Sequence, residues 1–279
     1  MALAVLSVLR DEASRLPDFF FLLEALDAHP LLGGIHCSFY ENDSADGTPE
    51  QLQYWLRGRS GSLISERFGE AAHGTFSQQA SRTLRLADAR NKALQPLLAT
   101  DCSWLLVIDA DLAVRPDQVL SLLAMAQAHP AASMVCASAV QAVPDVLGDA
   151  PYSYYDSWAL RDLDGNSGIS FLQNPFQRTR DRWRWMAALP VSVRSAFGRM
   201  AILPMTLVRR VRPRWDGHDG CEHWAFCDAV RQQGPVLACP TVMPQVLHPQ
   251  GAPRWTEAYA RQVRQFIASR PPLGLAAAR

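Results

Sequence analysis

Residues 103–114 read Ser103-Trp104-Leu105-Leu106-Val107-Ile108-Asp109-Ala110-Asp111-Leu112-Ala113-Val114, and the fold turns on this stretch. Its apolar run, Trp104 to Ile108, stops at two carboxylates separated by one residue. A short apolar run bounded by polar sequence reads as a buried strand of a parallel sheet. In open α/β sheets the ligand crevice lies beyond the carboxyl ends of the strands, so Asp109 and Asp111 stand at its mouth. Clustered acids raise each other's pKa unless a cation neutralises them, and a hard divalent ion bridging a diphosphate is the natural occupant. Because Asp-x-Asp is a short pattern, it also describes two solvated aspartates in a strand-end turn.

Working outward, strands and helices alternate. Leu3 to Leu9 is a strand, and Pro17 to about His29 a helix whose start is marked by Pro and Asp. A second strand, Ile35 to Tyr40, ends in the polar turn 41–48. A helix from Pro49 to about Arg57, a strand from Leu63 to Arg67 and a long helix from about Ser81 to Leu98 lead to the acidic strand. A helix from Pro116 to Ala128 and a strand from Met134 to Val140 follow. Alternation with short connections predicts an α/β fold, a mostly parallel Rossmann-like sheet with helices on both faces. Residues 144–195 lose the periodicity, which predicts an irregular, functional region. Beyond it, strands at Met200 to Leu203 and Val236 to Val246 flank a helix from about Glu222 to Gln233. The expected organisation is a ligand-binding half, 1–143, a second half of the same domain, 144–253, and a C-terminal amphipathic helix and tail, 254–279.

The chain has 279 residues, 48% of them hydrophobic, and a formal charge of +0. It can bury a full core, and it lacks the basic surplus that binding to nucleic acid requires. Its six cysteines are scattered with no CxxC pair, so they predict buried thiols in a reducing cytoplasm. The N-terminus lacks a basic leader and a cleavage site and reads as a strand. No apolar stretch reaches membrane-spanning length. The basic C-terminal helix leaves peripheral contact with the inner face of a membrane open.

Arg90 shares a helix face with Leu86 and Leu94. An inward-facing arginine must find an anion. Either it forms an internal ion pair, with Asp88 or a strand carboxylate, or it meets phosphates held by a cation on the acidic pair. In the cluster Trp215-Asp216-Gly217-His218-Asp219-Gly220-Cys221-Glu222-His223, the last two residues open a helix. An acid there is favoured by the helix dipole, which makes simple capping one reading of Glu222.

The order Ser7-Val8-Leu9-Arg10-Asp11-Glu12-Ala13, then residues 40–48, then Leu86-Ala87-Asp88-Ala89-Arg90-Asn91-Lys92-Ala93-Leu94, then Ile108 to Asp111, resembles nucleotide-sugar glycosyltransferases of the GT-A fold. More narrowly, the Arg90-Asn91 helix, residues 154–165 (Tyr-Tyr-Asp-Ser-Trp-Ala-Leu-Arg-Asp-Leu-Asp-Gly) and residues 195–204 are similar to the capsule-associated α-1,3-mannosyltransferase family described in fungi. The resemblance covers roughly residues 3 to 248, in blocks. Asp109-Ala110-Asp111 stands where fungal members often carry an Asn-Asp-Val type motif.

The resemblance implies a metal-dependent, retaining hexosyltransferase of surface polysaccharide synthesis. It would move a hexose such as mannose from a GDP- or UDP-linked donor to a glycan or glycolipid acceptor. Asp109 and Asp111 would hold Mn2+ or Mg2+ on the donor diphosphate, with His248 as a third ligand, and Arg90 would meet the phosphates. Glu41, Asp43 and Asp46 would line the nucleoside pocket. Glu222, with His223 beside it, would be the acceptor-side base or orienting carboxylate, and Trp158, Arg161, Asp162, Trp185 and Gly198 would lie on the acceptor side. Trp183 and Trp185 suit either sugar stacking or a buried apolar patch. Two other classes compete. A glycan-binding module on a degenerate transferase fold would not need the acids at 109, 111 and 222. A sugar nucleotidyltransferase usually carries a glycine-rich phosphate loop and a lysine, and neither follows Leu9.

Overall fold

The computed structural model describes residues 1–69, 80–142, 152–169 and 173–247. Strands and helices alternate through β1 (Leu3–Leu9), α1 (Leu16–Asp27), β2 (Ile35–Asn42), α2 (Thr48–Trp55), β3 (Gly61–Glu66), α3 (Ala80–Leu97) and β4 (Trp104–Ile108). Next come β5 (Leu112–Ala113), α4 (Pro116–Ala128), β6 (Met134–Cys136), β7 (Val140–Ala142), β8 (Tyr152–Tyr154), α5 (Thr179–Met186) and β9 (Val191–Val193). The described part ends with β10 (Met200–Pro204), α6 (Met205–Val211), α7 (His223–Arg231), β11 (Val236–Ala238) and β12 (Gln245–Val246).

One sheet has the order β3-β2-β1-β4-β10-β6-β11-β9, and a smaller one the order β5-β12-β7-β8. The strands from β3 to β4 run parallel. β10 is wedged antiparallel between β4 and β6, and β11 runs parallel to β6. Side chains alternate across the large sheet, as the period of two requires. Leu3, Val5, Leu106 and Ile108 join the core beneath α1, α2 and α4. Ala4, Leu6, Leu105 and Val107 join the core beneath α3, α6 and α7. Helices therefore cover both faces, as the unbroken apolar runs of β1 and β4 predict.

Three expectations change. The strand expected at 134–140 is two strands in two sheets. The chain leaves the large sheet at Ser138, whose N–H turns to the Val242 carbonyl at 2.9 Å. The strand expected at 236–246 divides in the same way into β11 and β12. The irregular region contains β8, α5 and β9, elements too short for a periodic signal. The helix expected at 254–270 lies outside the described residues.

Candidate active site

Sheet parity aims the acidic pair. Asp109 continues the odd register of Leu105 and Val107, so its carboxylate emerges on the α3 face. Ala110 falls on the opposite core. Arg90 of α3 is 3% exposed and donates through Nη2 to Asp109 Oδ1 at 3.0 Å. The ion pair with a strand carboxylate is thus present. Arg90 Nε is buried with no hydrogen-bond partner, and Nη1 makes none either, standing 3.5 Å from the Glu222 carboxylate as a looser ion pair. Such orphaned donors cost free energy unless an anion arrives. The neighbouring Asn91 anchors the loop before α7, donating to the Trp215 carbonyl at 2.9 Å and accepting the Trp215 N–H at 3.1 Å.

Arg199 completes the cluster and was not singled out from sequence. The β4–β10 register pairs Met200 with Ile108, so Arg199 falls beside Asp109, whose N–H donates to the Arg199 carbonyl at 3.0 Å. Arg199 Nη1 donates to Asp109 Oδ2 at 2.8 Å and to Asp111 Oδ1 at 3.3 Å, while Nη2 donates to Tyr155 Oη at 2.8 Å. Gly198 and Arg199 are both left-handed, with φ of 61° and 62°. A Cβ on Gly198 would stand 1.8 Å from the Ala137 carbonyl oxygen, so only glycine fits there. The Gly198 N–H donates to buried Asp156 at 2.7 Å. Two left-handed residues in succession would have been the sequence signal, and only the glycine advertises it.

Burial raises the Asp111 pKa, Arg199 opposes the rise and Asp109 adds to it. The Glu12 carboxyl, in the β1–α1 loop and ion-paired with Arg15, is pushed up to about 7 by burial. Arg15 opposes that shift, and Asp111 and Asp109 reinforce it. In both cases burial is the main cause and the neighbouring charges are secondary.

Glu222 is the residue before α7 and makes no side-chain capping bond. Its Oε1 instead faces Arg90 Nη1 at 3.5 Å and His223 Nε2 at 3.4 Å. Burial, with Arg90 adding, holds His223 well below its ordinary pKa, so the ring is neutral. Trp215 Nε1 can only donate, and it reaches His223 Nδ1 at 3.3 Å. The ring hydrogen therefore sits on Nε2 and points at Glu222. Phe197 stacks on His223 at 4.1 Å and carries Arg90 over its face at 5.1 Å. His223 thus braces Glu222 from behind.

A divalent cation fits this geometry in part. Among the described residues no group of three or more His, Cys, Asp or Glu is arranged around one point, while Asp109 and Asp111 share the Arg199 guanidinium. The Leu247 N–H donates to the Asp111 carbonyl at 2.8 Å. Leu247 is the last described residue of this segment, and His248, expected as a third ligand, lies outside the described residues.

The acids expected in the nucleoside pocket lie on the β2–β3 flank. Glu41 is buried within β2 and accepts from Ser65 Oγ and, at 3.4 Å, from the Ser44 N–H. Asp46 ties α2 to the β1–α1 loop through the Thr48 hydroxyl at 2.6 Å and the Ala13 N–H at 2.8 Å. Asp43 accepts the Phe68 and Gly69 N–H groups at 2.8 and 2.9 Å. It lines a cavity of about 580 Å³ with Ser44, Gly47, Glu50 and Arg67. A second cavity of about 210 Å³ lies against Tyr40, Asn42, Phe68 and Arg85. Neither is lined by Asp109 or Asp111, whose intervening space the guanidiniums occupy.

On the other side, half-exposed Trp158 donates to the Gly220 carbonyl at 2.7 Å and touches the loop leading to Glu222. Arg161 lies over the Trp224 ring at 4.2 Å. Asp162 is buried and shapes its own turn by accepting the Asp164 and Asn166 N–H groups at 2.9 and 2.8 Å. Trp185 packs edge-on to Tyr154 and Phe176 in the core, which leaves Trp183, 66% exposed, as the tryptophan of that pair with a free face.

The family of Cryptococcal mannosyltransferase 1 matches residues 20–231, from α1 to the end of α7. The chain belongs to this family. No curated protein matches it. Among solved structures it is similar to the mannosyltransferase PcManGT from Pyrobaculum calidifontis in complex with GDP-Man and Mn2+, with a TM-score of 0.54 and 14% identity over 94% of this chain and 60% of that one. It is also similar to S. aureus TarS 1–349 in complex with UDP-GlcNAc, with a TM-score of 0.52 and 11% identity over 90% of this chain and 60% of that one. For GalNAc-T7 with UDP, GalNAc and Mn2+, the TM-score is 0.53 and the identity 14%, over 89% of this chain and 44% of that one. The fold is GT-A, and the chain spans about 60% or less of these structures. No helix of this family member is long and apolar enough to cross a membrane among the described residues.

Proposed function

We propose that this family member is a metal-dependent glycosyltransferase of surface polysaccharide synthesis. It moves mannose or a similar hexose from a GDP- or UDP-linked donor to a hydroxyl of a glycan or glycolipid. The observation that carries this reading is the pairing of the strand-end acids with a buried arginine that still has orphaned donors. Those donors suit a diphosphate, which guanidinium binds through charge-assisted hydrogen bonds. Asp109, Asp111 and His248 would hold Mn2+ or Mg2+, which when bound supplies Lewis-acid stabilisation of the departing nucleoside diphosphate. Asp43 and the cavity beside it accept the nucleoside, with Glu41 and Asp46 holding the walls.

Glu222 takes the acceptor side. Its carboxylate, fixed by Arg90 and by the His223 Nε2–H, receives the acceptor hydroxyl's hydrogen bond. Trp158, Arg161 and Gly198 surround that approach. Retention of configuration follows the α-1,3-mannosyltransferase resemblance, an argument from analogy. Six free, buried cysteines support a reducing, cytoplasmic setting.

The test is a thermal-shift panel of GDP, UDP and CDP with Mn2+, followed by nucleotide release from the matching sugar donors. A ligand held by the native state raises Tm. No shift and no release with any nucleotide would sink the reading.

A further inference from the structure

Arg199 stands where a cation on the acidic pair would stand. A divalent ion shared by two carboxylates lies roughly 2.0–2.6 Å from an oxygen of each. One nitrogen of Arg199 already spans those oxygens, at 2.8 Å from Asp109 Oδ2 and 3.3 Å from Asp111 Oδ1. The two cannot share that position. The placement is built into the backbone by the β10 register, by the crowding that admits only glycine at 198 and by a left-handed φ of 62° at 199. A non-glycine residue keeps such a backbone only where its surroundings enforce it.

Charge makes the same argument. Asp109, Asp111 and Glu222 already face the guanidiniums of Arg90 and Arg199. A divalent ion entering alone would set two further positive charges against those guanidiniums. A nucleoside-diphosphate sugar, with two negative charges, offsets the ion's charge. Its phosphate oxygens also offer the displaced guanidinium a partner that matches its fork.

We propose that Arg199 is the resident counter-ion of the acidic pair and a donor-diphosphate ligand, exchanged from the carboxylates to the diphosphate as the metal enters. This rests on the nucleotide-sugar reading above. Metal and nucleotide then bind synergistically, and by linkage each tightens the other equally.

The test measures Mn2+ binding by the electron paramagnetic resonance of free Mn2+, with and without GDP or UDP, on the wild type and Arg199→Met. Wild type is expected to bind Mn2+ at least about tenfold more tightly once the nucleotide is present, within the usual range of coupling between sites. Arg199→Met without nucleotide is expected to bind Mn2+ at least about tenfold more tightly than wild type, with the synergy cut below about threefold. Equal Mn2+ affinity in both nucleotide-free proteins overturns the proposal. Should Arg199→Met fail to fold, Arg199→Gln decides: its amide keeps hydrogen-bonding capacity towards the carboxylates and Tyr155 but carries no charge, so its nucleotide-free Mn2+ affinity rises above that of wild type, and an unchanged affinity overturns the proposal. Absence of any nucleotide binding by wild type would instead overturn the donor reading itself.

Discussion

Two acid-rich strand ends sit side by side in this molecule, and they satisfy their charge in opposite ways. At the end of β2, Glu41, Asp43 and Asp46 accept hydrogen bonds from uncharged backbone N–H groups and hydroxyls of their own turn, of β3 and the segment after it, and of the β1–α1 loop. Among the described residues, the guanidinium paired with that group is Arg10, 4.0 Å from Asp43. At the end of β4, Asp109 and Asp111 are met by guanidiniums from two distant elements, α3 and the start of β10. Acids closed by neutral hydrogen bonds hold neighbouring loops together. Acids closed by guanidiniums carry counter-charges that a ligand's charges could replace, which is why the proposed chemistry is placed there.

The sharpest attempt to break this contrast is Asp111→Ala. Loss of the cation's main carboxylate should lower transfer by roughly 10³-fold or more, the several kcal/mol attributed to a Lewis acid. Metal-dependent nucleotide binding should vanish while the circular dichroism melt stays cooperative. An active, still metal-dependent variant would move the metal elsewhere.

Glu222→Gln keeps the shape and loses the proton acceptor. If Glu222 is a base, the rate falls by roughly 10²–10⁴-fold with donor affinity steady. A smaller loss, mostly in acceptor KM, assigns it to orientation, as expected if the enzyme retains configuration. Unchanged transfer with a lower Tm would return it to a helix-end role.

Arg90→Ala should weaken nucleoside-diphosphate binding by roughly 1.5–3 kcal/mol, the scale of a charged hydrogen bond. Calorimetric titration reads this directly. Steady affinity with collapsed stability would show that the ion pair is only structural. On the other flank, Asp46→Ala should cost about 1 kcal/mol of stability, as a lost helix-start hydrogen bond does, with donor affinity following only as far as the turn loosens. A large affinity loss at full stability would put Asp46 on the nucleotide.

The smallest effect is in pH. Glu12 has a folded pKa of about 7 against an ordinary 4.5. Below 4.5 both states hold the proton and the folded state loses nothing. As pH rises from 4.5 to about 7 the unfolded chain releases its proton first, so stability falls across that window. Glu12→Gln should flatten this slope in urea melts, and an unchanged slope would remove Glu12 from the charge cluster.

The first half of the fold was legible because its signals are local. The apolar runs of β1 and β4 and the proline-marked start of α4 reveal themselves within a few residues. Arg90 was legible for the same reason, since a helix period suffices to place it inward. Arg199 was not, because its meaning depends on β10 pairing antiparallel with a strand ninety positions earlier. Asp46 is ambiguous in sequence, because an acid that bonds within its own turn reads like one awaiting a ligand. Trp185 and Trp183, two residues apart on one short helix, differ only in which face α5 turns inward.

All six cysteines are buried and free. Burial also pushes the thiols of Cys37, Cys136, Cys221 and Cys227 upward, away from the reactive thiolate. Native thiols will therefore stay silent towards alkylating dyes while the fold is intact. A lone reporter fluorophore can be installed at Glu50→Cys, on the exposed rim of the 580 Å³ cavity, without deleting any natural cysteine, and its emission would follow donor loading in real time.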